Sequence, residues 1–214
     1  MVGMVHGEAM RQAIEVFTGG IAQTNGYLME APEGWVLFDA PEGVAAWLER
    51  KGVRLQALVL THQHYDHVMD AAKVAGAHGC PVYAHSDYHS TLTLEPMLRA
   101  AGMPVEVAPF EVSHVLAGES AVEIAGERFL LKFVPGHSAD SLCFVSEGRQ
   151  LVVSGDTVFA GSIGRTDLPG GSHPLLIHGI QTHLLTLADN FRFLPGHGPE
   201  TSVGTEKTSN PYLR

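Results

Sequence analysis

LQALVLTHQHYDH, residues 55–67, decides how the rest of the chain is read. Leu55–Leu60 has the character of a buried strand, and it runs straight into a cluster of ligand-type side chains. In an extended segment His62 and His64 project to the same side, because side chains alternate with period two. Two imidazoles held in that way can grip one divalent cation. Asp66 and His67 follow where the chain turns into a helix, so they can face a second position beside the first. Working outward, FVPGH ends at His137 and FLPGH ends at His197. Each is an apolar strand that stops at Pro-Gly and hands a histidine to a loop, as LVLTH does with His62. Three such strand ends predict one cleft at a common sheet edge. Asp156, in SGDT after the strand LVVSG, supplies a carboxylate suited to bridging two ions. These five imidazoles and two carboxylates suit zinc, with iron or manganese as alternatives. They lack the all-oxygen character of a calcium or magnesium site.

Composition bounds the remaining choices. The 214 residues are 45% hydrophobic and only 17% charged, enough for one α/β domain with a substantial core and too apolar for a disordered chain. The formal net charge is −10 and no Lys/Arg block occurs, which argues against a nucleic-acid partner. No apolar run approaches the roughly 20 residues of a membrane span. The start, MVGMVHGEAMRQAIEVF, has neither a basic head nor an apolar stretch, so no secretion signal is expected. Cys80 and Cys143 are the only cysteines, which excludes cysteine metal sites and points to a reduced, cytoplasmic setting. Histidine is the anomaly, as numerous at 13 as Lys and Arg combined. His6, His78, His85, His89, His114, His173, His178 and His183 match no motif and are read as core or solvated residues.

Turn signals divide the chain into a β-rich, an α/β, a second β-rich and a second α/β stretch. Strands are predicted at Ile14–Phe17, Tyr27–Glu30, Trp35–Asp39, Leu55–Leu60, Pro81–Ala84, Ser120–Ile124, Phe129–Val134, Leu142–Ser146, Leu151–Ser154 and Phe191–Leu194. Helices are predicted over Val44–Lys51, stopped by Gly52; Val68–His78, closed by Gly79; about Ser86–Met103; and about Pro174–Leu187. The order implies two packed sheets with helices outside, in one domain.

THQHYDH, PGHS, SGDTVFAGSIGRTDLPGG and LPGHGPETSVGTEKTSNPYL, in that order, resemble the metallo-β-lactamase-fold hydrolases, and among them the short glyoxalase II (hydroxyacylglutathione hydrolase) branch. The resemblance implies an αββα sandwich and a two-metal site. His62, His64 and His137 would hold one ion, Asp66, His67 and His197 the other, and Asp156 would bridge. Asp66 and Asp156 would be the catalytic carboxylates. Asp39, at the end of VLFD, would orient ligand groups from behind. Two positions depart from the family pattern: Met69-Asp70 stands where small glycines are usual, and Ala139-Asp140 replaces a Pro-Gly pair. Full-length glyoxalase II enzymes carry a C-terminal helical extension that binds glutathione, and none is read before Arg214.

The expected activity is metal-dependent hydrolysis of a small acidic thioester. Two bound cations lower the pKa of a shared water and polarise the carbonyl, and the thiolate leaves without needing a proton. Arg165 is expected to grip a substrate carboxylate, with Asp167 orienting it; a structural ion pair between the two is the rival reading. A mononuclear-iron persulfide dioxygenase of the same fold also resembles the chain through GRTD, but LPGHGPET matches the hydrolases better. A β-lactamase is less well matched, because those enzymes lack an acid like Asp156. A non-catalytic metal or ligand binder would be expected to have lost ligands, and none is lost.

Overall fold

Alternation along the strands sorts the apolar residues into layers. The computed structural model describes residues 13–214; the reading of the N-terminal stretch and of His6 lies outside them. A first sheet takes β1 (Ile14–Gly19), β2 (Thr24–Ala31), β3 (Gly34–Phe38), β4 (Leu55–Val59), β5 (Val82–Ala84) and β6 (His114–Val115), in that spatial order. It is antiparallel up to β3 and parallel from β3 to β6. Between these strands run α1 (Val44–Lys51), α2 (Tyr65–Val68), α3 (Ala71–His78) and α4 (Glu95–Ala100). The second sheet contains β7 (Ala121–Ile124), β8 (Glu127–Phe133), β9 (Leu142–Ser146) and β10 (Leu151–Gly155). A small hairpin of β11 (Val158–Phe159) and β12 (Ser162–Ile163) follows, then α5 (His173–Gly179), β13 (Arg192–Pro195), β14 (Thr201–Ser202) and α6 (Val203–Ser209). The second sheet's order is β14-β13-β10-β9-β8-β7.

In β3, Val36 and Phe38 face the other sheet while Leu37 faces the helices; in β4, Val59 and Leu58 divide the same way. Phe38 meets Phe129 and Phe144 of the second sheet edge to face, each at 5.5 Å between ring centroids. Burying one such side chain contributes about 1.5–3 kcal/mol. On the far side of the second sheet Val145, Val152 and Phe193 pack against Leu176, Ile180, Leu184 and Val203. Helices, sheet, sheet, helices: this is the expected αββα sandwich.

Gly52 and Gly79 both end their helices in the left-handed conformation, at φ 65° and 59°, as the sequence predicted. The helix predicted over 68–78 is instead two, α2 and α3. Asp70 explains the break, because its buried carboxylate accepts hydrogen bonds from the Gly43 and Ala45 amides at 2.8 and 3.2 Å, at the start of α1. A carboxylate there satisfies orphan amides and faces the positive end of the helix. The departure at Met69-Asp70 thus ties one helix to another. Within 86–103 only Glu95–Ala100 is helical. Glu95 is buried and accepts from Thr93 Oγ1 at 2.6 Å and from the Val107 amide at 3.0 Å, which fastens an irregular segment by side chains. The last predicted long helix is regular only to Gly179 and continues as a π turn, Ile180–Leu184. Among the described residues no helix is long and apolar enough to cross a membrane.

Candidate metal centre

The three histidine-bearing strand ends come from two sheets, not from one edge. His62 follows β4 in the first sheet, whereas His137 and His197 follow β8 and β13 in the second. The Leu142 amide donates to Thr61 O at 2.8 Å and stitches the two sheets together at this point. The cleft therefore lies between the sheet ends.

Three overlapping groups of three form there, two of them the expected triads and the third, His62, His67 and Asp156, joining them. One ligand-type atom each from His62, His64 and His137 lies within 4.8 Å of the others, and the same holds for Asp66, His67 and His197. Asp156 sits between the triads. Its Oδ1 is 3.3 Å from His67 Nε2, and its Oδ2 is 3.3 Å from both His137 Nε2 and His197 Nε2. All seven residues expected from the sequence are thus brought together.

The backs of the rings are held in place. His67 Nδ1 donates to Asp39 Oδ2 at 2.8 Å, His137 Nδ1 to the Arg165 carbonyl at 2.8 Å, and His197 Nδ1 to the Ala22 carbonyl at 3.1 Å. Thr61 Oγ1 gives its only proton to Asp39 Oδ2 at 2.8 Å, so it accepts from His62 Nδ1 at 3.1 Å. A neutral ring that donates through Nδ1 keeps a lone pair on Nε2, the state a metal ligand requires. Asp39 also accepts from the Thr61 amide at 2.8 Å, and it adopts φ 58°, a left-handed conformation uncommon outside glycine. Thr24 Oγ1 donates to Asp66 Oδ2 at 2.6 Å.

At the front, the Nε2 atoms of His62, His67 and His137 and Oδ1 of Asp156 are buried without a hydrogen-bond partner. Buried polar atoms are rarely left so. Four of them converging in one place, three ring nitrogens and one carboxylate oxygen, fit a pair of cations. Burial, with His67 and His64 beside it, pushes His62 well below the usual imidazole range, and burial with His137 lowers His64 to about 3. Burial opposes charge at Asp156 and Asp66 too. His67 and His197 outweigh it there and hold Asp156 well below the carboxylate range and Asp66 at about 2. These carboxylates in turn raise both rings against burial, His67 well above the imidazole range and His197 to about 10; a bound cation would take the place of their protons.

Glycines let these parts approach. A side chain at Gly196 would overlap Asp156 Oδ1 and lie 2.5 Å from His67 Cε1. Gly136, at φ 136°, packs against α5 so closely that a Cβ would sit 2.5 Å from the Leu176 amide nitrogen. Each Pro-Gly-His therefore needs its glycine for contact.

Arg165 and Asp167 stand apart from this cluster. Their side chains are exposed and joined by two hydrogen bonds, Nε to Oδ1 at 2.7 Å and Nη2 to Oδ2 at 2.8 Å. Arg165 touches the centre through its carbonyl oxygen.

Residues 19–197 match the metallo-beta-lactamase superfamily. The chain belongs to that superfamily. Within the superfamily it is 36% identical over 199 residues to the probable metallo-hydrolase YqgX of Bacillus subtilis (strain 168), covering 91% of this chain and 94% of the relative. It is 32% identical over 169 residues to the hydroxyacylglutathione hydrolase GloC of Haemophilus influenzae, covering 78% and 79%. Among solved structures it resembles the BLEG-1 B3 metallo-beta-lactamase, with a TM-score of 0.85, 32% identity, and 94% and 99% of the two chains covered. It also resembles TTHA1623, solved in a di-iron-bound form, with a TM-score of 0.79, 36% identity, and 93% and 100% covered. As a superfamily member the chain is a metallo-hydrolase with a His/Asp metal-binding cluster.

Sequence reasoning missed Thr61, Gln63, Thr24 and the Ala22 carbonyl. Thr61 and Gln63 lie within the motif itself, and a hydroxyl next to a ligand histidine is a readable signal. Ala22 carries none, since it meets His197 across 175 positions through its backbone.

Proposed function

We propose that this chain hydrolyses acidic thioesters of the hydroxyacylglutathione type with two divalent transition-metal ions, zinc first, with iron or manganese as alternatives. The observation that carries the reading is the pair of three-residue clusters on either side of Asp156. The kinship to GloC supports the substrate class, and the likeness to a di-iron-bound neighbour supports two ions. His62, His64 and His137 would hold one ion, Asp66, His67 and His197 the other, and Asp156 would touch both. Such a pair of ions supplies an activated water near neutral pH and a polarised carbonyl.

The chain's own groups prepare that chemistry. Asp39 and Thr61 lock two rings in the required tautomer. Asp66 and Asp156 would balance the charge of the ions, and an attacking water would find its hydrogen-bond acceptors in these carboxylates. Water adds its oxygen to the acyl carbon, the carbon–sulfur bond breaks, and an acid and a thiol leave. A thiolate is a good enough leaving group to need no proton donor. Arg165, with N–H groups beyond the two given to Asp167, can meet a substrate carboxylate at the rim.

The test is metal counting and turnover on the purified, metal-reconstituted protein. Two ions per chain and hydrolysis of lactoylglutathione, both lost in Asp156→Asn, are expected. One tightly held iron with oxygen-dependent persulfide consumption would replace this reading with the dioxygenase. Faster turnover of a β-lactam than of any thioester would replace it with the activity in BLEG-1's name.

A further inference from the structure

Asp140 is 2% exposed and lies in the loop that carries His137. Its Oδ1 accepts from Ser138 Oγ at 2.5 Å, and the carboxylate lies beside the Gln63 backbone N–H, which favours its charged form. Gln63 separates His62 from His64, and its own side chain is fixed by donating to the Ser86 and Asp87 carbonyls at 3.0 and 3.2 Å. One carboxylate therefore joins the loop of the third ligand to the peptide between the first two. Its other oxygen, Oδ2, is buried with no partner. A group of this kind costs stability, so a purely structural account leaves it unexplained.

We propose that Asp140 is a positioning residue, a clamp that sets the spacing of His137 against His62 and His64 and so tunes the affinity of the ion those three would hold. The proposal rests on the two-ion reading above. Asp140 touches none of the three rings; it acts through Ser138 and the Gln63 amide. Burial pushes its carboxyl up to about 6, in keeping with a group retained for something other than stability.

The experiment counts zinc on reconstituted protein dialysed against graded chelator. The wild type should release two ions in two steps. Asp140→Ala should release one of them at 10- to 100-fold lower chelator strength, the range typical when a ligand's support is removed, and leave the other step where it was. The early ion should be the one already missing from His137→Ala. Asp140→Asn keeps an acceptor oxygen and should restore most of the lost retention. Ser138→Ala, which leaves the carboxylate but removes its tie to the His137 loop, should weaken the same ion and decides the matter if Asp140→Ala does not fold. Unchanged retention in the variants, or equal weakening of both ions, would overturn the proposal. A wild type that binds fewer than two ions would instead overturn the two-ion reading on which it rests.

Discussion

Arg165 reaches the centre through its carbonyl oxygen, which limits what its side chain can contribute. The guanidinium is exposed and already paired with Asp167. An exposed ionic contact is worth about 0.2–1 kcal/mol, less than the 1.5–3 kcal/mol typical of a hydrogen bond to a charged group. Arg165→Ala should therefore raise KM for an acidic thioester only about two- to fivefold, with kcat unchanged. A neutral thioester should show no change, and steady-state kinetics on the two substrates makes the comparison. Equal losses on both would mean that Arg165 only fixes its loop. Asp140 makes the opposite kind of case, because it is buried. Its carboxyl is raised from 3.8 to about 6, so the folded chain favours the protonated form. The stability this contributes is complete below about pH 4 and is lost as pH rises through about 6. The full swing corresponds to about 3 kcal/mol at most. In chelator-treated protein Asp140→Asn should accordingly raise Tm at pH 7.5, and the gain should vanish between pH 6 and pH 4. A gain of equal size at both ends of that range would refute the assignment.

Loops and turns show which elements could be read from sequence. Strands with clean alternation, such as β3 and β4, and helices ended by Gly52 and Gly79 were legible because each depends on local pattern. The split of α2 from α3 was not, because its cause, the bond from Asp70 to the start of α1, is a tertiary contact. The same rule divides the centre. The candidate ligands announced themselves by residue type and spacing, whereas the groups that orient them include backbone carbonyls, which carry no sequence signal. Glycine stands between the two cases: its presence in PGH was plain, its reason was not. Because a side chain on Gly196 would invade Asp156 and His67, Gly196→Ala should lose at least one bound ion and reduce turnover more than 100-fold. Gly76, in α3 with open space around it, is the control. There alanine should leave metal content unchanged and add up to about 1 kcal/mol of stability. Metal analysis and thermal unfolding of the two variants settle the point.

Over the whole molecule, ion binding and folding are linked, since the ligand sets exist only when both sheets are in place. An ion present at 100 times its Kd should stabilise the fold by about 2.7 kcal/mol. Burial keeps His62 and His64 neutral. Asp66 and Asp156 overcome burial at His67 and His197 and raise them, His197 to about 10, so an ion must displace their protons and this gain should shrink as pH falls from 7.5. Tm with and without zinc at pH 7.5 and 5.5 measures it, and an undiminished gain at pH 5.5 would exclude ligation by His67 and His197. The sheets have a further property. The first is built wholly from residues 14–115 and the second wholly from residues 121–202. In the proposed assignment each ion takes two ligands from the first stretch and one from the second, and Asp156 adds a carboxylate from the second. The sandwich is thus two consecutive half-proteins with the ions seated on their seam. A single backbone nick at Gly118, in the connection between them, would leave two fragments that zinc rivets together and a chelator helps to part.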